Sequence, residues 1–115
     1  MGVWYRYYEI AGVVEKVGPG VERVKAGDRV SVDQVIGCGH CFYCRRGSRQ
    51  FCIVGRELGI TADGGCQDLL LLPQENLFPI PSNISDEVAA ILDMEVWGAL
   101  SKCKIFPGET LLVLG

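Results

Sequence analysis

Four cysteines within fifteen residues, Cys38, Cys41, Cys44 and Cys52, follow the spacing Cys-x2-Cys-x2-Cys-x7-Cys. Two-residue gaps let neighbouring sulfurs converge on one ion, and the longer gap lets the chain return to complete a tetrahedron at Zn–S distances of about 2.3 Å. Residues 37–65 are punctuated by Gly37, Gly39, Gly47, Gly55, Gly59, Gly64 and Gly65 and hold few aliphatic side chains. Such a segment cannot build a core of its own, and its glycines permit the sharp turns a metal lobe needs. Four thiolates leave no position for water or substrate, so one structural zinc is expected, contributing on the order of 10 kcal/mol to folding. Arg45, Arg46 and Arg49 are expected to offset the excess thiolate charge. A ferredoxin-type iron–sulfur site wants a shorter last gap and a following proline, and Cys52 is followed by Ile53. Disulfides fit poorly where thiols stay reduced.

The remaining candidates read as structural. His40, the single histidine, would crowd a shell that four thiolates already complete, and an exposed loop position is expected. Cys66 and Cys103 read as small buried hydrophobes.

At 115 residues and 49% hydrophobic, the chain has material for one core. No apolar run approaches the roughly 20 residues of a membrane helix, so no membrane span is expected. A net charge of −3 is the wrong sign for holding a phosphate backbone, which argues against nucleic acid. No apolar stretch reads as a secretory peptide, so the expected compartment is the cytoplasm.

Turn signals recur at roughly ten-residue intervals, the rhythm of a mainly β domain. Strands are expected over residues 10–17 and 29–35, joined through the turn Lys25-Ala26-Gly27-Asp28, and again over residues 66–72 and 76–80 around Pro73. Ser85 reads as an N-cap, with Asp86 and Glu87 in the first turn and a helix reaching about Leu100. Pro107-Gly108-Glu109 then turns into the apolar run Thr110–Leu114, which reads as a strand buried on both faces. That places a domain boundary near residues 104–109.

Nearly the whole chain resembles the zinc-containing medium-chain alcohol dehydrogenases. The resemblance rests on residues 9–18, Lys25 to Val30, the cysteine lobe from Gly37 to Cys52, Asp63-Gly64-Gly65, Pro73, Asn76-Leu77, Ile80-Pro81, Ser85-Asp86-Glu87 and residues 107–115. The nearest flavour is the polyol, butanediol and threonine dehydrogenase group. The resemblance implies a GroES-like β-barrel with a structural-zinc loop at 37–52, one helix, and the first strand of a missing Rossmann domain. Residues 1–103 would be a partial GroES-like catalytic domain, and residues 104–115 a linker plus that strand. It also implies hydride transfer from an alcohol or polyol to NAD or NADP, a catalytic zinc that polarises the alcohol oxygen, and leaves a homo-oligomer open.

Departures from the family pattern bear on function. Tyr8 stands where the family's Gly-His-Glu motif has its metal-binding His, Tyr7 replaces its Gly, and the upstream Cys ligand is not present. Glu9 matches the motif's Glu and Asp93 the position of a downstream ligand, so these two are the candidate remnants of a catalytic-zinc site. Both also read as ordinary acids: Asp93 has apolar residues three and four positions away on the expected helix (Ala89, Ala90, Val96, Trp97), but Glu95 is flanked in the same way by Ile91, Leu92, Gly98 and Ala99. Gly115 stands at the first glycine of a nucleotide-binding turn, so no cofactor-binding residue is assigned. The expectation is a truncated oxidoreductase fragment, inactive alone; the alternative is a non-catalytic zinc-stabilised interaction module.

Overall fold

The computed structural model describes residues 7–92, 100, 102, 103, 105, 106, 108–112 and 114. Three short strands form the main sheet. These are β1 (Ala11–Val13), β2 (Arg29–Val32) and β5 (Leu77–Pro79), in the antiparallel order β1-β2-β5. Gly12 lies opposite Val30, and Val32 opposite Leu77. The ladder continues past β1, since Val14 N–H donates to Asp28 O at 2.9 Å and Gly27 N–H to Val14 O at 2.8 Å. The tight turn at residues 25–28 is closed by Asp28, whose carboxylate accepts from the Lys25 backbone N–H and meets its ammonium at 2.9 Å. These two bonds hold the Asp28 carboxyl below the usual carboxylate range.

The core is small and built of valines. Val14, Val24 and Val30 pack together, with Val17, Val21 and Leu77 around them. β2 alternates apolar and polar residues, yet Val30, Ser31 and Val32 are all buried. The reason is its central place: Val30 faces the valine cluster, while the Ser31 hydroxyl on the opposite face donates to Ala89 O at 2.8 Å. Ala89 belongs to α2 (Asp86–Ala90), the helix expected after the Ser85 cap, and Ser85 Oγ accepts from Val88 N–H. Arg29 closes the same junction by donating to Asp86 Oδ1 at 2.7 Å and to Ile84 O at 2.8 Å.

The mainly β, GroES-like architecture is present, with differences. The expected strand at 66–72 is irregular backbone, and Leu69 and Leu71 are exposed, because among the described residues no strand pairs with this segment. The barrel is correspondingly open. Cys66 and Cys103 are exposed rather than buried, since each lies on irregular chain at the margin of the fold and not in an element that packs. The helix is shorter than expected, because α2 ends at Ala90 with Ile91 leaving helical geometry as its C-cap; Asp93, on the expected continuation, lies outside the described residues. The described part of Thr110–Leu114 forms no strand, with Leu111, Leu112 and Leu114 exposed. An apolar run becomes a strand only beside a partner. Among the described residues no helix is long and apolar enough to cross a membrane.

Candidate metal centre

The lobe hangs from a second, two-stranded sheet of β3 (Val35–Ile36) and β4 (Arg56–Glu57), paired antiparallel. Between them run Cys38, a one-turn helix α1 (Phe42–Arg45), a 3-10 turn over Arg49–Phe51 and Cys52. The α1 turn was not expected from sequence. Its N-cap is Cys41, whose sulfur accepts from Cys44 N–H, so a two-residue gap between cysteines itself encodes a turn of helix. Gly39 and Gly47 take φ of 77° and 76°, which supplies the left-handed corners on either side of it.

The Sγ atoms of Cys38, Cys41, Cys44 and Cys52 lie within 4.8 Å of one another, and this is the only such ligand group among the described residues. A tetrahedral ion with 2.3 Å metal–sulfur arms would set its sulfurs about 3.8 Å apart, and the Cys41–Cys52 separation is 3.9 Å. Backbone amides point at the sulfurs: Cys41 N–H donates to Cys38 Sγ at 3.3 Å, Cys44 N–H to Cys41 Sγ at 3.5 Å, and Cys38 N–H to Cys52 Sγ at 3.3 Å. These donors stabilise thiolate. The Cys44 amide pulls the Cys41 thiol down to about 6, and the Cys38 amide lowers that of Cys52, whereas burial pushes the Cys44 thiol up to about 11. A set of four converging sulfurs, each within reach of the others and oriented by amides, fits a closed thiolate-bound divalent ion.

Two glycines are required by closeness rather than by φ. A Cβ at Gly37 would lie 2.9 Å from Cys44 Sγ, and one at Gly55 would lie 3.1 Å from Cys52 Cβ. His40 is exposed, with its Nδ1 2.8 Å from Cys38 O, and it is not among the converging ligands. The three arginines do not share one task. Arg45 is exposed, Arg46 stacks over the Phe42 ring at 5.1 Å, and Arg49 pairs with Asp33 at 2.6 Å. The expected neutralisation of the thiolates by all three is therefore not what Arg49 does, because the Asp33 carboxylate, just after β2, already holds it.

Among the described residues, no second ligand cluster forms around the other candidate, Glu9. Glu9 is exposed and sits on an open groove of about 300 Å³ lined also by Tyr7, Ile10, Gly65, Cys66 and Asp86. Asp93, its expected companion, lies outside the described residues. Tyr7, however, carries a signal that composition does not show. Its φ is 100°, a region that favours glycine, and Tyr7 O accepts from Gly65 N–H at 2.8 Å. Gly59 and Gly64 pack against the same backbone so closely that a Cβ on either would collide with Tyr7. The backbone here thus holds a conformation suited to glycine, with tyrosine in it.

Comparison with known proteins agrees with this geometry. The sequence profile of the alcohol dehydrogenase GroES-like domain matches residues 5–82. An L-threonine 3-dehydrogenase from Marinomonas sp. is 45% identical over 86 residues, covering 75% of this chain and 25% of that protein. An L-threonine 3-dehydrogenase from Chromobacterium violaceum is 41% identical over 111 residues, covering 94% of this chain and 32% of that protein. The chain thus spans between a quarter and a third of the length of these curated relatives. Among solved structures, an Escherichia coli CFT073 alcohol dehydrogenase (rspB) complexed with NADH superposes with a TM-score of 0.69 at 39% identity, covering 74% of this chain and 25% of that one.

Proposed function

This chain belongs to the family of alcohol dehydrogenase GroES-like domains, and from that premise we propose that it is the zinc-bearing part of an NAD(P)-dependent alcohol or polyol oxidoreductase. Cys38, Cys41, Cys44 and Cys52 would hold one structural zinc. The observation that carries this is the convergence of four sulfurs under three backbone amide donors. Soft thiolates in a tetrahedral set select zinc among the common divalent ions. Zinc bound there supplies a cross-link and no reactive position, because all four coordination sites are taken.

The chemistry of the whole family, hydride transfer from an alcohol to nicotinamide, needs groups beyond this lobe. In the reading proposed here, residues 1–103 form the GroES-like part and residues 104–115 lead toward a nucleotide-binding domain. Glu9 and Asp93 would mark the catalytic-metal site, and tyrosine at position 8 removes its imidazole. The 115-residue chain alone is therefore expected to reduce no NAD with alcohol, in a reducing, cytoplasmic setting that keeps its thiols free. Cobalt(II) titration tests the metal reading. Four-thiolate charge-transfer absorption that weakens when any one of the four cysteines is changed to serine supports it; absorption indifferent to those changes refutes it.

A second reading, a zinc-stabilised interaction module without catalysis, is favoured by one observation. Phe42, Phe51, Ile53 and Val54 are all well exposed on or beside the lobe, and apolar side chains of this kind are what a docking surface would use. A stoichiometric complex in which these residues become protected would support the module, and a strictly monomeric chain would count against it.

A further inference from the structure

Among the described residues, one ion pair, Arg49–Asp33, ties the lobe to the end of β2. Arg49 opens the 3-10 turn Arg49–Phe51, and its carbonyl accepts from Cys52 N–H at 2.9 Å. It therefore holds the cysteine that must travel furthest to close the cluster. Its aliphatic stem lies against Gly37 beside Cys44 Sγ, since a Cβ at Gly37 would meet Arg49 Cγ and Cδ at 3.3 Å. Its guanidinium donates to Asp33 Oδ2 at 2.6 Å and reaches Glu75 O at 3.3 Å.

Asp33 is itself fixed. It follows β2 directly, its backbone N–H donates to Asn76 O at 2.9 Å, and its Oδ1 accepts from Val35 N–H at 2.8 Å. Asn76 is 1% exposed, and its side-chain amide donates to Asp33 O at 2.7 Å and to Val35 O at 2.9 Å. A continuous path of bonds thus runs from Cys52 through Arg49 and Asp33 to Asn76 at the head of β5. Both charged side chains are shielded, at 28% and 18% exposure, so the pair is less screened than an ordinary surface bridge.

We propose that Arg49 is the positioning residue of the metal lobe: clasped by Asp33, it holds Cys52 in place for metal and transmits metal binding to the β2–β5 sheet. The proposal rests on the zinc reading above. Without the clasp, the return from Cys44 to Cys52 keeps only its local bonds, such as Ser48 N–H to Tyr43 O and Phe51 N–H to Ser48 O, and the metal must supply the rest of its ordering, which is entropically costly. Groups one step outside a metal's ligands, when removed, commonly weaken binding by about ten- to a hundredfold.

The test follows zinc release to excess chromophoric chelator from the wild-type chain, Arg49→Gln, Asp33→Asn and the double variant. Release about tenfold faster in each single variant, and no faster in the double, is expected. Arg45→Gln should release at the wild-type rate. Cobalt-loaded variants should keep the four-thiolate absorption, which distinguishes a loosened lobe from an unfolded one. Hydrogen exchange supplies an independent readout: zinc should slow exchange at the Asp33 and Asn76 amides in the wild type but not in Arg49→Gln at saturating metal. Wild-type release rates in both single variants, or effects that simply add in the double, overturn the clasp. A wild-type chain that takes up no zinc refutes the metal reading and the clasp with it.

Discussion

Gly37→Ala is the substitution whose cost can be worked most directly from the structure. The new methyl carbon would lie 2.9 Å from Cys44 Sγ and 3.3 Å from two carbons of the Arg49 stem, inside the roughly 3.5–4.0 Å optimum for non-bonded carbon. The arginine stem can give by a few tenths of an ångström. The sulfur is less free to give, because a ligand that moves away from Gly37 also moves relative to the three other sulfurs with which it must share one ion. Overpacking of this kind costs about 1–3 kcal/mol, and at 1.4 kcal/mol per decade the zinc affinity should fall about five- to 150-fold. Competition against a chromophoric chelator reads this directly. Gly12→Ala is the control, since nothing lies within 4 Å of a Cβ there and the unfolded-state effect of Gly→Ala is the same. Affinities for Gly37→Ala and Gly12→Ala that agree with each other and with wild type would refute the close approach on which the argument stands.

Three further outcomes are expected. Tyr7→Gly should stabilise the fold by about 1 kcal/mol, because relief of left-handed strain worth roughly 1–3 kcal/mol exceeds the about 0.4–1 kcal/mol entropic cost of glycine; a lower urea midpoint would contradict it. Zinc affinity should rise with pH across neutrality. The Cys41 thiol, lowered to about 6, is protonated only below that value, while the Cys44 thiol, raised to about 11, keeps its proton until metal displaces it, so binding releases protons. Calorimetry in buffers of different ionisation enthalpy measures that release, and a pH-independent affinity would refute it. Deleting residues 109–115 removes the exposed Leu111, Leu112 and Leu114 and should lower light scattering at equal concentration; unchanged scattering would mean that these leucines are not what drives association.

What could be read from the residues alone was what depends on local chemistry. The cysteine spacing, the exposed His40 and the Ser85 cap each act through neighbours in the chain, and each is found where it was expected. Strand extents were less legible, because a strand needs a partner: residues 66–72 have strand-like composition but nothing beside them, and remain irregular. Burial of Cys66 failed for the same reason. The Arg49–Asp33 pair spans sixteen positions, and no local pattern joins a residue inside a metal lobe to one at the end of a sheet strand. Tyr7 is an intermediate case. Its left-handed backbone is invisible in composition, but the family motif's glycine at that place was a signal that could have found it.

The most direct test of the account is metal per chain, by elemental analysis of purified protein after mild chelation to strip loosely held ions. The account predicts one zinc, lost together with folding stability when Cys38, Cys41, Cys44 or Cys52 is replaced. Two zinc ions per chain would mean that Glu9 and Asp93 still assemble a second site, and no zinc, or iron in its place, would contradict the lobe on which the account is built.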